Sequence, residues 1–191
     1  MARRSAPALL AMLTLAGCQT LPVVPDDLHF DDPAALEQWD LRARMGYRSV
    51  QDSGSATLDW TQRHEEGQIR FSGPMGLGGA RLDWDTHEAT LDTGREQVTA
   101  TTPAELAWRL TGLWLPVEAL QYWVRGLPWP NARAEALHDE NGRLQELRQL
   151  GWELHFDRYE TVAGLELPHR IRASHGDDRF TLIVHDWRPQ P

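Results

Sequence analysis

Reactive side chains are sparse in this chain, and the one with a distinctive setting is its single cysteine, Cys18. A thiol can be a nucleophile, a metal ligand, a disulfide partner or an acylation site, and a lone cysteine has no partner for a disulfide within the chain. The eight histidines, at 29, 64, 87, 138, 155, 169, 175 and 185, show no zinc-ligand spacing, although His169 and His175 lie six apart. The acidic pairs Glu65-Glu66 and Asp177-Asp178 sit beside glycines in expected turns, where carboxylates are simply solvated. No G-x-S-x-G elbow, H-E-x-x-H pair or Walker loop occurs, and Gly76-Leu77-Gly78-Gly79 lacks the spacing of a dinucleotide fingerprint. The expectation is a non-catalytic protein without metal or cofactor, in which the chemistry of Cys18 is acylation.

The residues around Cys18 carry that expectation. Arg3 and Arg4 precede an apolar run from Ala6 to Ala16 that is too short to span a bilayer and reads as a secretory signal peptide. It ends on Leu15-Ala16-Gly17-Cys18, which resembles the lipobox of bacterial lipoproteins, whose cysteine takes a lipid and becomes the mature N-terminus. Residues 1–17 are therefore expected to be removed, and residues 18–32, polar and proline-containing, to tether a folded domain over 33–191. Gln19 follows the cysteine where an aspartate resembles an inner-membrane retention signal, so the resemblance implies the periplasmic face of the outer membrane.

With Arg3 and Arg4 removed, 17 basic residues face 28 acidic ones, a net charge of −11 with histidine neutral. Nucleic acid is a poor partner for such a chain, because phosphate binding needs clustered positive charge. Every basic residue is arginine, a composition bias on which no functional reading rests. The length of 33–191 suits one domain with a sizeable core, expected as a monomer.

Two periodicities place the elements. Asp32-Pro33 followed by Ala34, Ala35, Leu36 and Trp39 predicts a short opening helix. Period two then takes over in Leu41, Ala43, Met45 and Tyr47, and again in Ala56, Leu58 and Trp60 after Asp52-Ser53-Gly54. It continues through Ile69 and Phe71, Leu82 and Trp84, Ala89 and Leu91, and Val98, with turns at Glu66-Gly67, Asp85-Thr86 and Thr93-Gly94. Thr102-Pro103 caps a helix from Ala104 to Leu110, and Pro116 starts a second from Val117 to Val124. After the Asn141-Gly142 turn the alternation returns in Trp152, Leu154 and Phe156, in Ile171 and Ala173, and in Phe180, Leu182 and Val184 as a last edge. A mainly β fold follows: an unclosed, strongly curved antiparallel half-barrel whose apolar concave face is covered by the short helices.

Two features go beyond a packed sheet. Ser72-Gly73-Pro74-Met75-Gly76-Leu77-Gly78-Gly79 joins two strands yet carries Met75 and Leu77, where turns ordinarily carry Asn, Asp or Ser. These side chains either fold back on the core or enter a bilayer or a partner's groove. Nine tryptophans against four phenylalanines serve either as core filler or as the lining of a cavity for a flexible apolar ligand.

Taken in order, Trp39-x-Leu41, Gly54-Ser55 with Trp60, Gly73-Pro74-Met75-Gly76, Gly112-x-x-Leu115-Pro116-Val117, Leu120-x-x-Trp123-Val124-x-Gly126-x-Pro128, Gln149-x-Gly151-Trp152, Leu167-Pro168 and Trp187 resemble the LolB family of outer-membrane lipoprotein receptors. The resemblance implies a half-barrel with a helical lid over a hydrophobic cavity. It also implies a receptor that accepts lipoproteins from the periplasmic carrier LolA, shields their acyl chains and places them in outer-membrane lipid. Candidates for cavity or lid are Leu58, Trp60, Phe71, Leu106, Leu110, Leu120, Trp123, Val124, Trp152, Leu154, Leu182 and Trp187. The insertion loop is Gly73, Pro74, Met75, Gly76 and Leu77, with Met75 where the family carries a protruding leucine. Ala43 and Leu150 also depart, from Gly and Asp. The competing classes are a scaffolding lipoprotein and a hydrolase of envelope polymers, the latter needing two carboxylates across a cleft.

Overall fold

Alternation along the first long strand sets the architecture. In β1 (Gln38–Arg48), Trp39, Leu41, Ala43, Met45 and Tyr47 are buried, while Arg42, Arg44 and Arg48 are exposed. One face must therefore meet a core and the other water. The computed structural model, which describes residues 28–73 and 79–191, extends this strand on both sides into one sheet. On one flank follow β2 (Ser53–Arg63), β3 (Glu66–Ser72), β4 (Ala80–Trp84), β5 (Ala89–Asp92) and β6 (Gln97–Ala100). On the other lie β11 (Asp178–Pro189), β10 (Leu165–His175), β9 (Trp152–Val162), β8 (Leu144–Gln149) and β7 (Ala134–His138).

Every neighbouring pair is antiparallel, and β6 and β7 are the two edges, unpaired with each other. The sheet is thus curved but open. Between Arg42 and Ala43 the register against β11 shifts, because His185 has no opposite residue; such a bulge bends a sheet.

Topology explains the roof. Residues 101–133 must carry the chain from edge β6 to the opposite edge β7, and they do so across the concave face as α1 (Pro103–Thr111) and α2 (Val117–Trp123). Thr102 caps α1 from an extended conformation, and Gly112 ends it in the left-handed region at φ 71°. A side chain at 112 would place its Cβ 2.8 Å from Ser49 Oγ, so this glycine is needed for both conformation and space. Among the described residues, no helix is long and apolar enough to cross a membrane.

Three sequence expectations change. The opening helix is only a 3-10 turn, Pro33–Ala35, and Trp39 lies in β1, because the alternation starting at Gln38 overrides the helical spacing. The turn expected at Glu66-Gly67 falls on His64 and Glu65, with His64 at φ 53°; Glu66 and Gly67 already belong to β3. Gly67 is placed for contact rather than for turning, since the Trp84 ring lies where its Cβ would be, 2.1 Å away. The segment Phe180 to Val184 is not an edge: β11 sits between β1 and β10, so the last strand closes onto the first.

Candidate functional site

The concave face gathers the apolar side chains into a single core. Of the cavity and lid candidates, Leu58, Trp60, Leu106, Leu120, Trp123, Val124, Trp152, Leu154, Leu182 and Trp187 are buried, and Phe71 and Leu110 pack against them half-buried. Their own side chains fill the space between helices and sheet, which makes this the closed arrangement. Residues that periodicity did not single out for the site lie among them: Leu36, Leu113 and Leu115, and a run of indoles across the sheet. Trp187, Trp39, Trp60 and Trp84 follow one another at centroid separations of 5.1, 5.0 and 6.0 Å. Alternation alone places these rings on one face; cross-strand register, invisible in the sequence, brings them together tilted and edge to face, with interplanar angles of 59–72°.

A cavity of about 480 Å³ opens at one end of the concavity. Trp39, Trp84 and Trp129 form apolar wall, while Glu37, His64, Asp85 and Glu118 are among the residues giving a polar, largely acidic rim. His64 Nδ1 lies 2.8 Å from a Glu37 carboxylate oxygen. The Asp85 carboxyl is held below its ordinary value by the backbone N–H groups of Glu88 and His87. Burial pushes the Glu118 carboxyl up.

The two helices are fastened differently. Trp123 donates its indole N–H to Gln149 Oε1 at 2.8 Å. That oxygen also accepts from the Trp129 amide at 2.9 Å, and Gln149 Nε2 donates to the carbonyls of Trp129 and Ala132. One buried glutamine thus makes four hydrogen bonds and staples α2 and the following loop to β8. Beyond α2, Arg125 is 6% exposed, donates to the Leu36 carbonyl at 2.7 Å and lies over the Tyr122 ring. Burial lowers the pKa of its guanidinium. By contrast α1 rests on the short strands β4, β5 and β6 and on α2 through Leu106 and Ala107, and it leaves Trp108 partly exposed. Ser49 Oγ lies 3.3 Å from the Thr111 carbonyl at the C-terminal end of α1.

Of the segment expected to be an insertion loop, Gly73 lies at φ 131°, while Pro74, Met75, Gly76 and Leu77, like Cys18 and the leader, lie outside the described residues; Gly79 beyond it lies at φ 124°. Gly73 sits against Ser55 and Ala56 of β2, so the end of β3 and the start of β4 lie at the end of the half-barrel opposite the acidic rim.

Residues 37–187 match the family model "Outer membrane lipoprotein LolB". A protein named outer-membrane lipoprotein LolB from Alkalilimnicola ehrlichii is 36% identical over 190 residues, covering 95% of each chain. One of the same name from Stutzerimonas stutzeri is 38% identical over 163 residues, 85% of this chain and 79% of the relative. Among solved structures, a LolA superfamily protein from Nitrosomonas europaea superposes with a TM-score of 0.53 at 8% identity, covering 87% of this chain and 90% of the other. A DUF1329 family protein from Desulfovibrio piger gives 0.56 at 9% identity, covering 84% and 88%. At such identity these two likenesses concern the fold alone.

Proposed function

The chain belongs to the LolB family of outer-membrane lipoproteins, and from that premise we propose that it receives lipoproteins from the carrier LolA and inserts them into outer-membrane lipid. The observation that carries the reading is the crossing of an open half-barrel by a covalently continuous roof, whose apolar underside meets the apolar concave face. Acyl chains enter by displacing α1 from the short strands it rests on, so that concave-face side chains there, Leu82 and Leu91 among them, exchange the cover of α1 for contact with methylenes.

Magnitudes favour the exchange. Uncovering a buried leucine costs about 1.5–3 kcal/mol, and an acyl chain of a dozen or so methylenes left in water would cost about 10 kcal/mol at ~0.8 per CH₂; cargo handed over from a carrier keeps that cover, so the difference between the two cavities drives the exchange. The cargo therefore opens the lid without a nucleotide, and an empty protein closes it. Lipid on Cys18 holds the receptor at the bilayer, and the segment from Gly73 to Leu77, with the apolar Met75 in it, hands the chains on.

The test separates the two steps. In Met75→Glu, cargo is expected to pass from loaded LolA to the receptor at the unaltered rate, while delivery to outer-membrane vesicles falls at least tenfold. Delivery at the normal rate removes the loop from the mechanism, and a wild-type protein that takes no cargo from LolA removes the receptor reading.

A further inference from the structure

The convex face at the end of the half-barrel opposite the acidic rim carries an arrangement that cargo handling does not use. In register, Arg48 of β1 faces Arg179 of β11 directly, two like charges across a strand pair, which is a destabilising placement. Arg44 lies four residues back on the same face, and between the arginines Gly46 leaves the sheet bare, with nothing within 4 Å of a Cβ built there. The β2 neighbours of these positions are Ser53, Ser55 and Thr57. No carboxylate occupies this face of β2, β1, β11 and β10 from the row of Arg44 to the row of Arg48. Asp52, Asp177 and Asp178 stand in or beside the adjoining turns. Among the described residues none brings a carboxylate within 4.0 Å of Arg44, Arg48 or Arg179; Arg70, Arg95, Arg109, Arg125, Arg133 and Arg158 likewise have none, whereas Arg42, Arg63, Arg81, Arg143 and Arg170 do. In a mature chain of net charge −11, that concentration of unpaired cations calls for an anion.

Apolar groups ring the same end. Val50, in the turn between β1 and β2, is 82% exposed two residues from Arg48. That turn touches the C-terminal end of α1 through Ser49 and Thr111, and Trp108 stacks there on Trp114, rings 5.6 Å apart and 23° from parallel, with Trp114 57% exposed. Tryptophan at a rim, an aliphatic tip and arginines without a carboxylate partner are the equipment of a surface that sits at headgroup level, rings in the interfacial zone and guanidinium groups on phosphate.

We propose that Arg44, Arg48 and Arg179, together with Val50 and the Trp108–Trp114 pair, form a docking surface for anionic phospholipid headgroups, which turns this end of the half-barrel toward the bilayer. The inference rests on the outer-membrane attachment of the family and not on acceptance of cargo. With this surface docked, the end of the half-barrel that carries Arg48 faces lipid and the acidic rim faces the periplasm.

The experiment uses the full lipidated chain in vesicles. Since Cys18 is the only cysteine and carries the anchor, Val50→Cys gives a single free thiol for an environment-sensitive fluorophore. In vesicles of phosphatidylglycerol and phosphatidylcholine in equal parts, its emission is expected to report an apolar setting. Replacing Arg44, Arg48 and Arg179 together by glutamine is expected to lower the docked-to-free ratio about fivefold per arginine, about a hundredfold in all, with an unchanged circular dichroism spectrum and a thermal midpoint no lower than before. Equal emission in the triple variant, or in pure phosphatidylcholine, overturns the proposal. Free phosphate that abolishes the signal where chloride of equal ionic strength does not identifies a discrete phosphate site instead. A response to loaded carrier but not to anionic lipid identifies a protein partner, and either of these results also overturns it. Cargo acceptance by the triple variant from loaded carrier in solution, expected at the unaltered rate, keeps this outcome distinct from failure of the receptor reading.

Discussion

The two helices of the roof have similar lengths and neighbouring positions but opposite modes of attachment. α2 is buried through Val117, Ala119, Leu120 and Trp123 and has no side-chain cap, so its stability comes from outside itself, from the Gln149 staple and the Arg125 carbonyl contacts. α1 has the Thr102 cap and the Gly112 stop, buries one stripe, and leans on the short strands β4 to β6. Neither helix is long enough to hold its shape alone, so what separates them is how firmly each is fastened, and local opening draws on the weaker fastening. On the receptor function proposed above, the difference makes α1 the part of the roof expected to open and α2 the part expected to stay.

Substitution of the tryptophans gives the largest expected separation. Trp123→Ala removes a fully buried indole and orphans one bond of Gln149, at an expected cost of about 3–5 kcal/mol in chemical unfolding. Trp108→Ala, which removes a partly exposed ring and its stack on Trp114, is expected to cost about 1 kcal/mol. Similar losses at both sites erase the contrast between the helices.

Gln149→Ala comes next. It leaves the Trp123 indole, the Trp129 amide and two carbonyls without their partner. At about 1–3 kcal/mol for each unsatisfied buried group, moderated by water entering the vacated space, a total of about 3 kcal/mol is expected. Native-state hydrogen exchange on the variant sharpens the point: protection in α2 is expected to fall to the level of α1, and unchanged α2 protection contradicts the staple.

How far the sequence led differs between the same regions. The α1 boundaries were legible because Thr102-Pro103 and Gly112 are local signals, and the strands because Leu41 to Tyr47 and Leu154 to Phe156 alternate. The roles of Gln149 and Arg125 were not, since a glutamine before a turn and an arginine after a helix look solvated until the fold buries them. The pairing of β11 with β1 was equally hidden, as nothing in 178–189 names a partner more than a hundred residues away. One departure noted in the sequence acquires a physical meaning. Leu150 and Gly151 form the two-residue turn between β8 and β9 with φ of 55° and 80°, where Asn-Gly or Asp-Gly is the favoured pair. Leu150→Asn is expected to stabilise the protein by about 1 kcal/mol, read as a higher thermal midpoint, because a leucine in the left-handed region is strained and here also exposed. It lies beside the staple, so no gain would mean that the turn next to Gln149 relaxes more freely than its four bonds imply.

The smallest expected effect bears on the fixed helix. Glu118, in the first turn of α2, is partly buried at the acidic mouth, and burial raises its carboxyl above the ordinary glutamate value, with the helix N-terminus opposing. The folded protein therefore holds this proton more tightly than the unfolded chain does. As pH rises from the unfolded-chain value through the raised folded value, the unfolded chain deprotonates first, and the group's contribution falls across that window and stays low above it. Glu118→Gln has no proton to lose, so at neutral pH it is expected to be slightly more stable, read as a higher thermal midpoint, with the gain vanishing in acid. A pH–stability profile of the variant that parallels the wild type would mean that water reaches the mouth freely enough to solvate the carboxylate, and that α2 is less firmly seated at its N-terminal end than at the Gln149 staple.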